Sequence, residues 1–319
     1  MRHHRHVMWD AARAVAAGGA VLGCLLSAVP ATALAPERPM DEYGVRRWTI
    51  DDGLPQSSVT AMVQDRSGYL WLGTFGGLVR FDGVRFTTVC CAEDSPVASR
   101  RILSLLELQD GIILFGAEAG GVGQTVGDRA VRWRSGPELS GASVTAIHQD
   151  GAGRVWLGTL DRGLLVEDDG DVRRVGGGPA LADLAVLDIV ELDDEVVVGT
   201  WGSGLCRVAG DRLAACSTVA GTHVADLAVD RRGRLLVAST QGVTRIEGDR
   251  VVRSWIREDV GIQGASAVVE DRDGTVWLGT WSGLYRMGPE GGSPQRHPVA
   301  STGHEVRALM EDRQGSLWA

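Results

Sequence analysis

The sequence contains no Lys and no Asn, and only 5% of its 319 residues are aromatic. The absence of Lys excludes Schiff-base enzymes, nucleotide-binding proteins that use the Lys of a phosphate loop, and protein kinases. All 32 basic residues are Arg, and the formal net charge is -9. We expect no nucleic-acid partner, because binding to nucleic acid requires a basic surface. No motif calls for a metal or any other cofactor.

The first 35 residues are predicted to be a signal peptide. Arg and His fill positions 2–6, residues 14–29 are apolar and uncharged, and small residues follow at 31–35. The apolar run is shorter than the roughly 20 residues that span a bilayer. An uncleaved membrane anchor and lipidation at Cys24 remain alternatives. Residues 36–319 are then expected in the periplasm or cell envelope, with membrane contact only through the N-terminal segment or a region beyond Ala319.

An oxidising compartment permits disulfide bonds. Cys206 and Cys216 flank a turn around Gly210 and could face each other across a hairpin. They could equally be two small, half-buried thiols, and both interpretations stay open.

A repeat of about 40 residues organises the chain. Its clearest copies carry Asp-x-x-Gly-x-x-Trp-Leu-Gly-Thr and end at Thr74, Thr159 and Thr280. Weaker copies are placed with their last anchor residue at Ala117, Thr200 and Thr240, and a seventh copy runs from Val306 to Ala319.

Each repeat is typical of four short antiparallel strands joined by tight Asp- and Gly-containing turns. Such units bury both faces only by packing side by side around an axis, so the sequence predicts an all-β fold, a β-propeller. We expect about seven four-stranded blades over residues 36–319, the last one incomplete. Residues 43–50 are expected to be an outer strand of that last blade, and the natural protein to continue past Ala319.

The recurring polar and aromatic residues of the repeat are predicted to be structural. The four Trp are expected to pack between blades, and the four Asp to form turns rather than bind calcium, which needs about 6–8 oxygen ligands. They are Trp71, Trp156, Trp277, Trp318, Asp65, Asp150, Asp271 and Asp312. His148 is expected to be an ordinary strand residue.

Residues 53–59, 64–74 and 77–83 read Gly-Leu-Pro-Gln-Ser-Ser-Val, Gln-Asp-x-x-Gly-x-Leu-Trp-Leu-Gly-Thr and Gly-Leu-x-Arg-Phe-Asp-Gly. This pattern resembles the two-component regulator propeller repeat, and the resemblance extends over about residues 43–319. The second, fourth and fifth repeats depart from it, with Phe115, Val197 and Leu236 at the Trp position. The resemblance implies the periplasmic sensor region of a hybrid histidine kinase or diguanylate cyclase, without its output domain. Such regions often form homodimers.

The residues at which the repeats differ are the candidate binding site. The linkers into the first strands and the loops between second and third strands are expected to open on one face, around a central funnel. The candidates are Phe75, Arg101, Glu118, Asp161, Arg162, Trp201, His223, Gln241, Trp281 and His304. Arg can pair with carboxylates and Trp can stack, which favours a small polar, planar or carbohydrate-like ligand. Each residue could also be an ordinary solvated loop residue.

No catalytic residue is assigned, and a non-enzymatic sensor is the expected function. One alternative is a lyase-type propeller, in which His223 or His304 acts with Glu118 or Asp161. Another is a platform for binding other proteins.

Overall fold

The computed structural model describes residues 44–90, 97, 99–177, 184–218, 220–256, 262, 264–289, 291–298 and 305–319. The predicted signal peptide, residues 1–35, lies outside these ranges, and so does the candidate His304. Within these ranges no helix has the length and apolar character needed to span a membrane.

Six antiparallel sheets of four strands each account for most of the described residues, and the strands of each sheet follow chain order. Blade 1 contains β1 Val59–Gln64, β2 Leu70–Thr74, β3 Gly77–Phe81 and β4 Phe86–Cys90. Blade 2 contains β5 Ile102–Glu107, β6 Ile113–Ala117, β7 Gly121–Val126 and β8 Arg129–Arg132. Blade 3 contains β9 Val144–Gln149, β10 Val155–Thr159, β11 Leu164–Asp168 and β12 Asp171–Arg174.

The second half of the chain repeats this arrangement. Blade 4 contains β13 Ala185–Leu192, β14 Glu195–Trp201, β15 Gly204–Ala209 and β16 Arg212–Ser217. Blade 5 contains β17 Val224–Val229, β18 Leu235–Ser239, β19 Gly242–Glu247 and β20 Arg250–Ile256. Blade 6 contains β21 Ala265–Glu270, β22 Val276–Thr280, β23 Gly283–Met287 and β24 Gln295–Arg296. The seventh repeat forms only β25 Met310–Glu311 and β26 Leu317–Trp318.

The β-propeller is confirmed, but the expected number of about seven four-stranded blades is wrong, because the described residues form six. The seventh repeat reaches only its second strand at Ala319, the last residue of the sequence, so it forms a two-stranded sheet. The predicted anchor of the fifth repeat is also displaced by one residue. Ala238 and Ser239 pair with β17 as Gly73 and Thr74 pair with β1, so Ser239, not Thr240, takes the Thr position.

The outer strand expected at residues 43–50 does not form in the described part, which begins at residue 44. Thr49 instead caps a short 3-10 helix, Ile50–Asp52. The Thr49 amide donates to the Asp52 carboxylate at 2.7 Å, and the Asp51 amide donates to Thr49 Oγ1 at 3.2 Å. This reciprocal cap favours a helical turn over an extended strand.

The repeated Asp and Trp stabilise each blade together. In blade 3, Asp150 Oδ1 accepts the Ala152 and Arg154 amides across the turn, while Oδ2 accepts the Trp156 indole N–H at 2.8 Å. The same Asp–indole bond occurs in blades 1 and 6 and in the seventh repeat, at 2.7–2.8 Å. Trp71, Trp156 and Trp277 are buried. The turn and packing roles predicted for these residues are therefore confirmed.

First strands of successive blades are hydrogen-bonded through side chains, which places them next to one another at the hub. In four blades a Ser or Thr hydroxyl donates to a backbone carbonyl of the next repeat. These bonds join Thr60 to Ile102, Ser104 to Val144, Thr145 to Val186 and Ser266 to Val306, at 2.5–3.1 Å.

A second set of bonds joins the blades at their other end. A residue at the end of a first strand, or next to it, accepts an amide from the β-turn of the preceding blade. These bonds join Arg66 to Glu107, Gln109 to Gln149, Gly151 to Glu191, Arg231 to Glu270, Arg272 to Glu311 and Arg313 to Gln64. Since Arg313 belongs to the seventh repeat and Gln64 to blade 1, the ring is closed.

Aromatic packing supports the same closure. The Trp48 ring stacks on that of Trp318, with centroids 4.9 Å apart and planes 18° apart. The Phe81 ring meets Trp318 edge-on at 6.0 Å. The two-stranded seventh repeat thus occupies the space between blade 6 and blade 1.

Candidate functional site

The described candidate residues lie in the loops after second strands and in the linkers into first strands, and these two sets of segments contact each other. The Glu118 amide, after β6, donates to the carbonyl of Arg101, before β5, at 2.9 Å. The Gly202 amide, after β14, donates to the carbonyl of Thr222, in the linker to blade 5, at 2.8 Å. Loops after second strands therefore contact linkers into first strands, both within a blade and between neighbours. We call this surface the funnel face.

On blades 1 and 2, three of the candidates contact one another. The Arg101 guanidinium lies 4.1 Å from the Phe75 ring centroid, and Arg101 Nε is 2.7 Å from a Glu118 carboxylate oxygen. Arg307 of the seventh repeat approaches the same Phe75 ring at 5.7 Å. Phe75 is thus flanked by two guanidinium groups, and Glu118 forms an ion pair with Arg101.

On blade 3, Asp161 and Arg162 brace the loops. Arg162 donates to the carbonyl of Pro137 at 2.5 Å and to that of Ser140 at 2.6 Å. An Asp161 carboxylate oxygen accepts the Ser143 amide at 3.1 Å. The hydrogen-bonding groups of both residues are used within the protein, so a ligand would have to displace existing contacts.

On blades 4 and 5, Trp201 and His223 form a different arrangement. Their rings meet edge to face with centroids 4.4 Å apart, and the Thr222 hydroxyl lies 2.8 Å from His223 Nδ1. The Trp201 side chain is nevertheless 59% exposed. An indole that is exposed to solvent is suited to stacking on a ligand.

The remaining candidates that the structure describes, Trp281 and Gln241, are also exposed. Trp281 on blade 6 is 53% exposed, and its indole lies so close to Gly264 that a side chain there would begin 3.2 Å from the ring. Gly264 has a φ of +59°, a backbone conformation that glycine adopts readily. Gln241 is exposed on blade 5, and its backbone amide donates to Ser239 Oγ at 3.2 Å.

The described residues do not assemble the His–carboxylate pair of the lyase alternative. His223 precedes blade 5, while Glu118 and Asp161 belong to blades 2 and 3 and are engaged by Arg101 and Ser143. The other proposed base, His304, lies outside the described residues. His148, on an inner strand, has its Nε2 3.7 Å from Glu191, and burial lowers the pKa of its imidazole.

Sequence reasoning missed two carboxyl groups at the hub. Asp188 on β13 and Asp226 on β17 lie on neighbouring first strands, and Asp188 Oδ2 accepts the amide of Leu227, the residue after Asp226. Burial raises the pKa of Asp188 to about 6. Burial, followed by repulsion from Asp188, raises the pKa of Asp226 well above its ordinary value. The available sequence signal was an Asp inside an otherwise apolar first strand in two successive repeats.

The hairpin predicted as one of two alternatives for Cys206 and Cys216 is present. The two residues are directly paired between β15 and β16 and form a disulfide bond, with Cα atoms 4.1 Å apart.

Comparison with known structures gives the same fold. The extracellular domains of the hybrid two component systems BT3049 and BT4673 from B. thetaiotaomicron superpose with TM-scores of 0.71 and 0.67, at 18% and 19% identity. These matches cover 86% and 83% of this chain but only 40% and 37% of those chains. A streptogramin B lyase is similar with a TM-score of 0.66 at 15% identity, covering 83% of this chain and 91% of the lyase. No curated protein sequence matches the chain.

The repeats themselves are recognised by a family model. Residues 53–76, 138–161 and 262–282 match the two component regulator propeller. These segments contain the Asp–indole turns of blades 1, 3 and 6. The chain is therefore a β-propeller in which three of the repeats match the two component regulator propeller.

Proposed function

We propose that this chain is the ligand-sensing propeller of an exported two-component receptor and performs no catalysis itself. The observation that carries the proposal is the pair of exposed indoles, Trp201 and Trp281, on the funnel face. The matching repeats and the fold shared with extracellular domains of hybrid two component systems support the assignment. The parent protein would carry a histidine kinase or diguanylate cyclase output domain, act in a phosphorelay, and pair as a homodimer.

The ligand is proposed to bind to blades 4–6 rather than to the whole funnel face. On blades 1–3 the guanidinium groups of Arg101 and Arg162 are engaged by Glu118 and by backbone carbonyls. On blades 4–6 the candidate residues present two exposed indoles, the exposed side chain of Gln241, and the His223 imidazole, whose Nδ1 lies 2.8 Å from the Thr222 hydroxyl. This set favours a small carbohydrate-like or planar polar ligand, which would stack on Trp and hydrogen-bond to Gln241 and His223.

The test is a ligand titration of the whole chain labelled with fluorotryptophan and observed by fluorine NMR. Trp201→Ala and Trp281→Ala assign the two exposed resonances, and a set of soluble mono- and oligosaccharides serves as the probe. We expect at least one sugar to shift both resonances and to leave the buried Trp156 unshifted. Each Ala substitution should weaken that binding at least tenfold.

The matched control is Tyr69→Ala, which removes an exposed aromatic ring at the turn between β1 and β2. It should leave sugar binding unchanged. Binding that survives both Trp substitutions, or the failure of every sugar to shift either resonance, would overturn the proposed ligand class and position.

A further inference from the structure

The hub of blades 4 and 5 is built differently from that of the other four-stranded blades. Asp188 pairs with Gly199, and Asp226 pairs with Ala238, so the two Asp occupy equivalent positions in successive blades. Ala61, Ser104, Ala146 and Ala267 stand at that position in blades 1, 2, 3 and 6. Two carboxyl groups thus replace small side chains on neighbouring inner strands.

Each of these carboxyl groups also bridges to the next blade. Asp188 Oδ2 accepts the Leu227 amide at 2.7 Å, and Asp226 Oδ2 accepts the Val268 amide at 2.7 Å. They replace the hydroxyl-to-carbonyl bonds that join the other inner strands. The bridges from blade 4 to blade 5 and from blade 5 to blade 6 therefore depend on acids.

The two carboxyl groups also lie close to each other, because Asp188 Oδ2 accepts the amide of Leu227, the residue that follows Asp226. Two ionised carboxylates on neighbouring inner strands would repel each other. A carboxylate can only accept hydrogen bonds, so a direct bond between the two groups requires a proton on one of them. A shared proton therefore removes the repulsion and allows such a bond.

In the part of the chain that the structure describes, no Arg lies on the strands around the pair. These strands are β9, β10, β13, β14, β17, β18, β21 and β22. Their other titratable residues are His148, Glu191, Glu195 and Glu270. Each of these has its own partner: His148 and Glu191 face each other, Glu195 binds Arg207, and Glu270 accepts the Arg231 amide. His223, just before β17, is bound to Thr222.

We propose that Asp188 and Asp226 form a proton-binding site in the hub, in which the two carboxyl groups share a proton. The proton holds the inner strands of blades 4, 5 and 6 together, and its release at rising pH weakens those contacts. The proposal is independent of ligand sensing, because it concerns only the inner strands.

The direction of the effect follows from the raised pKa values. A carboxyl group whose pKa is higher in the folded than in the unfolded protein stabilises the fold below its unfolded pKa, and this stabilisation is lost as the pH rises through the folded pKa. For Asp188 the change is from 3.8 to about 6, which corresponds to roughly a 100-fold change in the unfolding equilibrium constant. Asp226 adds to it in the same direction.

The experiment compares denaturant unfolding of the whole chain with that of its Asp188→Asn/Asp226→Asn variant, between about pH 4 and about pH 8. Asn keeps the shape, accepts the same backbone amide and donates to its neighbour without titrating. Relative to this variant, the unfolding constant of the wild-type chain should rise at least about 100-fold over that range. Asp171→Asn, which alters an exposed carboxylate on β12, should keep the wild-type pH dependence.

A wild-type-to-variant ratio that changes less than about threefold over this pH range would overturn the proposal. If the double variant does not fold, carboxyl carbon NMR of the wild-type chain labelled at Asp decides the question. Two Asp carboxyl groups that titrate in two coupled steps, with one midpoint near pH 6 or above, are expected. The absence of such a coupled pair would overturn the proposal equally.

Discussion

The funnel face has two halves that use their side chains in opposite ways. On blades 1–3 the Arg and acidic residues are bound to one another or to loop backbone, as in Arg101 with Glu118 and Arg162 with the carbonyl of Ser140. On blades 4–6, Trp201 and Trp281 keep more than half of their surface exposed. The chemical type of a side chain therefore does not by itself identify a binding residue. The charged side chains of blades 1–3 already form ion pairs or hydrogen bonds within the protein.

The largest loss of stability is expected when a Trp in the interior of a blade, rather than an exposed Trp of blades 4–6, is replaced. Trp156→Ala should lower the free energy of unfolding by about 3–5 kcal/mol, because it leaves a cavity and removes the indole bond to Asp150. Denaturant unfolding measures the change. A loss below about 0.5 kcal/mol, typical of a surface substitution, would contradict its place in the interior.

An intermediate loss of stability is expected for a substitution on the funnel face of blades 1–3. Arg162→Ala removes charge-assisted hydrogen bonds to the carbonyls of Pro137 and Ser140, and should lower the free energy of unfolding by about 1–3 kcal/mol. Sugar binding, measured in parallel, should stay unchanged. Weakened binding with unaltered stability would reverse the assignment and make Arg162 a ligand contact.

The smallest effect on stability is expected for the exposed Trp residues on the funnel face of blades 4–6. Trp201→Ala and Trp281→Ala should each change the free energy of unfolding by no more than about 0.5 kcal/mol, because the indoles are largely solvated. Thermal unfolding followed by circular dichroism provides the measurement. A decrease of about 2 kcal/mol or more in the free energy of unfolding would show that these Trp are packing residues. Blades 4–6 would then not differ from blades 1–3 in having free side chains on the funnel face.

Much of the fold could be predicted from the repeat alone. Asp65 and its equivalents combine a turn-forming carboxylate with a Gly three residues later, and this local chemistry is independent of distant contacts. The hydrogen bond between Asp150 and Trp156 depends on the strand that brings the indole back over the turn. In the sequence, its only indication is the constant spacing of six residues between the Asp and the Trp. The fifth repeat could be misaligned by one residue because it lacks both Trp and Gly-Thr.

The candidate site was harder to predict because its residues are paired across blades. Nothing in the sequence near Arg101 indicates that Phe75 and Glu118 surround it, as each lies in a different loop. The pair Asp188 and Asp226 shows the same limit, since the sequence separates them by a whole repeat. A polar residue at equivalent positions of adjacent repeats is the signal that periodic alignment can provide.

The bonds between blades also bear on how the chain reaches its native state. Nearly every inter-blade bond joins residues about one repeat apart, such as Thr60 and Ile102, separated by 42 positions. The bond from Arg313 to Gln64 spans 249 positions. Successive blades can thus assemble by short-range steps, each with a modest loop-closure entropy. Once six blades have curved round, their two ends are already neighbours, so the longest-range contact in the molecule forms last and over a short distance.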